Sequence, residues 1–269
     1  MLTNVGPKQL WVESDGNGPP IVFVHGLGGT STFYEAQART LASKYHVVRF
    51  DLEGHGRSPL SQAPDIASWA DDLGHILDTL PAAKATIVGH SLGALVAQHF
   101  AATRPDRVEN LVLLGTLKTI PEATRQVVTD RAAIVRKAGM GEIADSSAAA
   151  TTGSRTHSDR PELIGFVKEL VLGQDSEGYA LGCEALANAH QPDLSRFAAP
   201  TLLITGSDDK VTTPEQANEL ADSLQRATVA IIDGIGHWSA VEASAEVSRL
   251  IGEFLRDQRV LVESGKIVR

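Results

Sequence analysis

Gly89-His90-Ser91-Leu92-Gly93 combines residue types that could perform nucleophilic catalysis. It fits the pattern G-x-S-x-G and lies between a β-branched apolar run and a helix-like segment, the context that gives the pattern meaning. A sharp strand-to-helix turn there would hold the Ser91 hydroxyl exposed, and side chains at Gly89 or Gly93 would collide with neighbouring backbone. The new helix would bring unpaired amides and its positive dipole end to Ser91, which favours negative charge developing there.

A serine hydroxyl is a weak nucleophile without a base. His237, in Gly234-Ile235-Gly236-His237-Trp238, is the only one of nine histidines that falls between the last strand-like run and the last helix-like segment. An imidazole base needs a carboxylate to fix its tautomer and stabilise its charged form. Gly206-Ser207-Asp208-Asp209, after the preceding run, offers two. An oxyanion also needs donors. One is expected to be the amide of Leu92, the other that of Leu27 in His25-Gly26-Leu27-Gly28-Gly29, where glycines allow close approach to a substrate. Gly26 and Gly28 are therefore expected at the pocket, and Trp238, beside the base, either lines it or packs behind it. His90 is expected to point away from the cleft, His25 to be buried on loop backbone, and Cys183 to be a small core residue. Arg125, Arg131, Arg136 and Lys137 would make a carboxylate clamp if one faced the pocket; a solvated helix face is the expected arrangement.

These groups need a frame. Six short apolar runs, Ile21–Val24, Val47–Phe50, Ala85–Val88, Leu111–Leu114, Thr201–Ile204 and Thr228–Ile232, suit strands buried on both faces, as parallel strands are. Gln9 to Glu13 alternates like an edge strand. Amphipathic helical spacing marks Phe33–Ser43, Ile66–Leu80, Leu92–Thr103, Pro214–Leu224 and Ala243–Arg256. Alternation of the two kinds predicts a mostly parallel sheet flanked by helices. It breaks after Thr116. Glu122–Ala138, Pro161–Leu172 and Gly178–Ala189 read as helices, separated by clusters such as Ala148 to Ser154. The expected organisation is a core of 1–116 and 198–269 with a helical cap, or lid, at 117–197. Val260–Val262 and Lys266–Val268 around Glu263-Ser264-Gly265 suggest a small terminal hairpin.

The 269 residues suffice for one α/β domain, and 42% hydrophobic with 21% charged residues is ordinary for a globular protein. The formal charge of −9 repels phosphate backbones and anionic lipid, so no nucleic acid and no membrane partner is expected, although an anionic substrate remains compatible. A lone cysteine makes no intrachain disulfide and no zinc site. Met1 to Asp15 is polar, unlike a secretory leader, and no apolar run approaches ~18 residues, so the expected location is cytoplasmic. No metal or organic cofactor is expected. A homodimer is left open.

The chain resembles the α/β-hydrolase superfamily along nearly its whole length. The resemblance rests on His25-Gly26 after a strand, Asp51-Leu52-Glu53-Gly54-His55-Gly56-Arg57-Ser58 after the next, the Ser91 motif, Gly206-x-x-Asp209 and Gly236-His237. It implies an α/β-hydrolase fold and a Ser, Asp, His order of catalytic residues. It also implies that the acid is Asp209, the last position of G-x-x-D, whereas Asp51 belongs to a structural segment. Within the superfamily the chain looks most like 3-oxoadipate enol-lactonases. That likeness extends to Arg136–Asp145, to Gly178-Tyr179-Ala180 with Cys183, and to Asp193-Leu194, and it places Tyr179 among the pocket candidates. One departure stands out. Those lactonases often carry an aromatic pair where this chain has Ala149-Ala150-Thr151-Thr152, which implies a wider, less apolar wall and a different or bulkier ester or lactone.

The expected activity is hydrolysis of a small carboxylic ester or lactone through an acyl-enzyme on Ser91. Dehalogenases and epoxide hydrolases of this fold place Asp where Ser91 stands. The same triad could also serve carbon–carbon hydrolysis of a β-diketone, cofactor-free perhydrolysis, or a slowly turning ligand receptor.

Overall fold

The apolar runs pair into one eight-stranded sheet, seen in a computed structural model that describes residues 1–116 and 118–263. The strands are β1 (Leu2–Val5), β2 (Lys8–Asp15), β3 (Pro20–Val24), β4 (His46–Phe50), β5 (Ala85–His90), β6 (Val108–Leu114), β7 (Thr201–Gly206) and β8 (Ala227–Ile232). The helices of the core are α1 (Glu35–Leu41), α2 (Ile66–Asp78) and α3 (Leu92–Thr103), then α9 (Pro214–Ala221), α10 (Ser239–Glu242) and α11 (Ser244–Glu263). Between β6 and β7 lie α4 (Glu122–Ala138), α5 (Gly141–Thr151), α6 (Ser154–Asp159), α7 (Glu162–Leu172) and α8 (Ser176–Asn188).

The strand order is β1-β2-β4-β3-β5-β6-β7-β8. β2 runs antiparallel to both its neighbours, and the other pairings are parallel. Central strands are predominantly apolar because both faces are covered: β3, β5 and β7 are buried at every residue. Their side chains alternate between two cores. Phe23, Val88 and Leu202 join Leu41 of α1 and Ile251 of α11 on one face. Val22, Ile87 and Leu203 join Trp69 of α2, Phe100 of α3 and Leu220 of α9 on the other. Each such large side chain stabilises the fold by roughly 1.5–3 kcal/mol relative to exposure.

Several expectations change. Gln9–Glu13 lies in β2, which is not the edge strand; β1 folds back on it through Gly6, at φ 55°, and takes the edge. β8 is the opposite edge, so its apolar run is only half buried and Ile231 is 51% exposed. No hairpin begins at Val260. The stripe of Val247, Ile251 and Leu255 docks α11 on the core, and the helix continues through Val260–Val262 to Glu263 despite their β preference. Lys266–Val268 lies outside the described residues.

Among the described residues the insertion holds five helices where three were expected. α5 and α6 occupy the stretch read as a separator. Ala is the strongest helix former, and α5 buries only Ile143, Ala144 and Ala148, too small a stripe to stand out by periodicity. α4 packs on α8, and α5 on α7. Among the described residues no helix is long and apolar enough to cross a membrane.

Candidate active site

β5 ends at His90 and α3 begins at Leu92, so Ser91 alone makes the turn. At φ 52° and ψ −115° it is the only non-glycine described residue with positive φ. Such a conformation costs about 1–3 kcal/mol and persists only where its surroundings enforce it. The Ser91 N–H donates to Leu114 O at 3.0 Å. A Cβ at Gly89 would stand 2.4 Å from Gly93 O, and one at Gly93 2.3 Å from Val24 O, so helix and strand approach only as glycines. Leu92 opens α3, and its N–H, in the first turn, has no intrahelical acceptor.

Ser91 and His237 line the same cavity, of about 330 Å³. Behind it, His237 Nδ1 lies 2.9 Å from Asp209 Oδ2. Asp209 is buried and fully engaged. Its Oδ1 accepts the N–H groups of Val211 and Thr212 at 2.8 and 2.9 Å, and its Oδ2 also accepts the Thr212 hydroxyl at 2.7 Å. Burial works against its charge, but His237 and these donors outweigh that, and its carboxyl is held below the usual range. Asp208 turns the other way and accepts the Ser154 N–H at 2.8 Å.

Asp51 is structural: it accepts the N–H groups of Ser31 at 2.6 Å and Arg57 at 2.9 Å, fastening two loops. His25 is buried, with Nδ1–H on Gly26 O at 2.8 Å and Nε2 accepting Leu52 N–H at 2.9 Å. His90 sits behind His237 and donates from Nε2 to His237 O at 2.8 Å. Burial, and secondarily the neighbouring His237, push its pKa down to about 3. Cys183 is buried in the apolar core, and burial pushes its thiol up to about 12.

Of the pocket candidates, Trp238 and Tyr179 line the cavity, as does Leu27, named above for its amide. Gly26 and Gly28 do not. Gly26 is pressed beneath the turn, where a Cβ would lie 3.0 Å from Ser91 Cβ, and Gly28, at φ 77°, faces the side chains of Val171 and Tyr179 that form the wall. The departure at Ala149–Thr152 also divides. Thr151 faces the Ser91 cavity, while Ala149, Ala150 and Thr152 line a separate open groove of about 750 Å³.

The expected solvated face of α4 holds at exposed Arg136 and Lys137 and fails at half-buried Arg125 and Arg131. Arg136 pairs with Glu177 and Glu184, and Arg125 donates to the carbonyls of Ala187 and Ala189. Arg131 instead faces the cavity beside the Tyr179 hydroxyl and has no carboxylate partner among the described residues. With Lys210 it puts two cations in the wall, and no described Asp or Glu lines that cavity. Helical spacing on α4 could have named Arg131 only with knowledge of which face α8 covers.

Sequence reasoning also missed two fasteners. Gln174, after α7, donates to Leu170 O at 2.8 Å and accepts the Gly56 N–H at 3.2 Å, next to Gly28 and Gly29. Glu242, in α10, ties the loop of His237 to the turn between α5 and α6. Neither belongs to a motif.

The arrangement brings together a serine hydroxyl at a strained turn, an imidazole with an oriented carboxylate, and backbone amides at a helix start. Residues 19–243 match the model of the serine aminopeptidase S33 family, Hydrolase_4. 3-Oxoadipate enol-lactonase 2 of Acinetobacter baylyi is 32% identical over 226 residues, covering 83% of this chain and 84% of that protein. The enol-lactonase of Burkholderia xenovorans superposes with a TM-score of 0.89 at 28% identity, covering 95% of this chain and 100% of that one. A thermophilic esterase of Thermogutta terrifontis, in its malate-bound form, gives 0.87 at 27% identity, covering 95% and 96%.

Proposed function

The chain belongs to the serine aminopeptidase S33 family of α/β-hydrolases, and we propose that it hydrolyses a small carboxylic ester or lactone through an acyl-enzyme on Ser91. The observation that carries this reading is His237: it shares a cavity with the strained Ser91 and holds Asp209 at 2.9 Å on its far nitrogen. The similarity to proteins named enol-lactonase and esterase supports the same chemistry.

His237 takes the Ser91 proton as the hydroxyl oxygen attacks the carbonyl carbon. The resulting oxyanion rests on the amides of Leu27 and Leu92. Collapse breaks the bond to the leaving oxygen, which receives the proton from His237; in a lactone that oxygen stays tethered to the acyl group. Water, giving a proton to His237, then attacks the acyl-enzyme carbonyl; collapse breaks the bond to Ser91 Oγ, which takes the proton back from His237, and the acid is released. Asp209 remains a carboxylate throughout and orients the imidazole.

Helices α4 to α8, within 117–197, act as the cap of this site, since α4, α5, α7 and α8 each contribute to the cavity wall. Arg131 and Lys210 suit a substrate with a carboxylate away from the scissile bond. In a protein of net charge −9, two cations and no acid in one cavity favour an anion. Oxoadipate and malate, in the names of similar proteins, are themselves carboxylates.

The test is hydrolysis of a panel by the wild type and Ser91→Ala: short aryl esters, simple lactones, an enol-lactone carboxylate and a β-diketone. Turnover that peaks on lactones or esters and vanishes in Ser91→Ala is the expected result. Full activity in that variant would remove Ser91 from the mechanism, and a peak on the β-diketone would replace ester cleavage with carbon–carbon cleavage.

A further inference from the structure

Glu242 is a buried carboxylate with four hydrogen-bond donors, drawn from the two sides of one seam. Its Oε1 accepts the Trp238 N–H at 3.0 Å. Its Oε2 accepts the N–H groups of Gly153 at 2.7 Å and Gly236 at 3.2 Å, and the Thr156 hydroxyl at 2.7 Å. Between Gly236 and Trp238, the N–H of His237 itself donates to Thr151 O at 2.7 Å. Three consecutive backbone donors of the loop that carries the imidazole are thus fixed either to the α5–α6 turn or to the carboxylate that also holds that turn. Three more bonds close the seam: Arg155 N–H to Gly234 O at 2.9 Å, Ser154 N–H to Asp208 at 2.8 Å, and the Trp238 indole N–H to the Thr151 hydroxyl at 2.7 Å.

We infer that Glu242 is a positioning residue: it sets the register of His237 against Ser91 and Asp209 by locking the loop to the helical insertion. This rests on the reading of His237 as the base. Glu242 does not line the cavity, and it acts through the backbone on either side of His237. Its partners require a group that accepts on both oxygens. A glutamine would turn an NH₂ toward N–H or O–H donors, and an alanine would strand the Gly236 and Trp238 amides without acceptors in a buried setting. A catalytic group displaced by ~1 Å can lose about 10²-fold in rate. The insertion therefore does more than wall the pocket: its α5–α6 turn sets the position of the base.

The experiment compares Glu242→Gln, Thr156→Val and Lys168→Ala with the wild type. Active sites are counted by stoichiometric phosphonylation of Ser91, so that kcat refers to folded enzyme. The low-field proton signal of His237 Nδ1–H bound to Asp209 is followed by NMR. Glu242→Gln is expected to lower kcat about ten- to a hundredfold with KM within about threefold, and to shift or broaden the low-field signal. Thr156→Val removes one donor and is expected to do the same by about two- to tenfold, which keeps the inference testable if Glu242→Gln does not fold. Lys168→Ala removes an exposed ion pair to Asp145 inside the insertion, away from the seam, and is expected to change neither readout. Unchanged kcat per titrated site with an unchanged low-field signal in Glu242→Gln and Thr156→Val would overturn the role. So would an equal kcat loss in Lys168→Ala. Failure of the triad reading would look different, as activity that survives in Ser91→Ala.

Discussion

Asp209 gives only one carboxylate oxygen to His237: Oδ2 meets Nδ1 at 2.9 Å, while Oδ1 is held by the N–H groups of Val211 and Thr212 at 2.8 and 2.9 Å. The loop after β7 thus fixes the Asp209 carboxylate independently of His237. Asp209→Asn would keep the shape but offer His237 an amide, favouring the wrong imidazole tautomer. The expected loss in kcat is about 10⁴-fold at most, by analogy with that substitution in other triads. Asp208→Asn, on the Ser154 N–H, should cost less than about threefold. Steady-state kinetics on one ester substrate decide the matter, and the reverse ranking would move the acid one residue back.

Stability should fall on acidification well before the carboxylates titrate. His55 and His90 are both buried, and burial is the main cause that pushes each pKa from 6.5 down to about 3. Between those values these two side chains bind protons in the unfolded chain that they do not bind in the folded one, and buried His25, also lowered, acts in the same direction. Their contribution to stability is fully present above about pH 6.5 and is lost as pH falls through about 3. Asp209, held below its ordinary value, adds a loss at the lower end of that range. Thermal unfolding from pH 7.5 to 4 should show a Tm that declines below 6.5, and a flat profile would refute the buried neutral histidines.

Cys183 should be inert in the folded enzyme. It is buried, and its thiol is raised to about 12, so almost no thiolate exists at neutral pH. Iodoacetamide should label it only after denaturation and should leave ester hydrolysis intact. Rapid labelling of native protein would mean that α8 opens.

What the sequence discloses is chemistry carried by short range. The turn at Ser91 needs glycines at fixed offsets, and His90, His25 and Cys183 occupy the buried positions that their neighbours in the chain suggest. What it conceals is decided across the fold. Val260–Val262 reads as a strand because two β-preferring valines in an apolar triplet outweigh helical spacing when the docking of the earlier turns of α11 on α1 is out of view. The α5–α6 turn reads as a spacer because its bonds run far along the chain, such as from Gly153 to Glu242, 89 positions away. Arg131 was indistinguishable from Arg125 and Arg136 until α8 covered the other two.

That asymmetry on α4 gives the prediction about substrate. Arg125 and Arg136 are engaged by α8, whereas Arg131 faces the cavity with the Tyr179 hydroxyl beside it and no carboxylate partner among the described residues. A hydrogen-bonded charge pair contributes about 1.5–3 kcal/mol, roughly ten- to a hundredfold in binding. Arg131→Gln should therefore raise KM by about that factor for an ester or lactone bearing a free carboxylate. It should leave a neutral ester of the same acyl group within about twofold, because Ser91, His237 and Asp209 are untouched. Arg131→Lys should recover only part of the loss, since an ammonium lacks the planar fork that pairs with a carboxylate. Raising salt should weaken the carboxylate substrate more than the neutral one. The paired measurement is kcat and KM for both substrates in all three proteins: equal losses on both would make Arg131 a support of the α4 wall, and a selective loss would make it the group that recognises the anion.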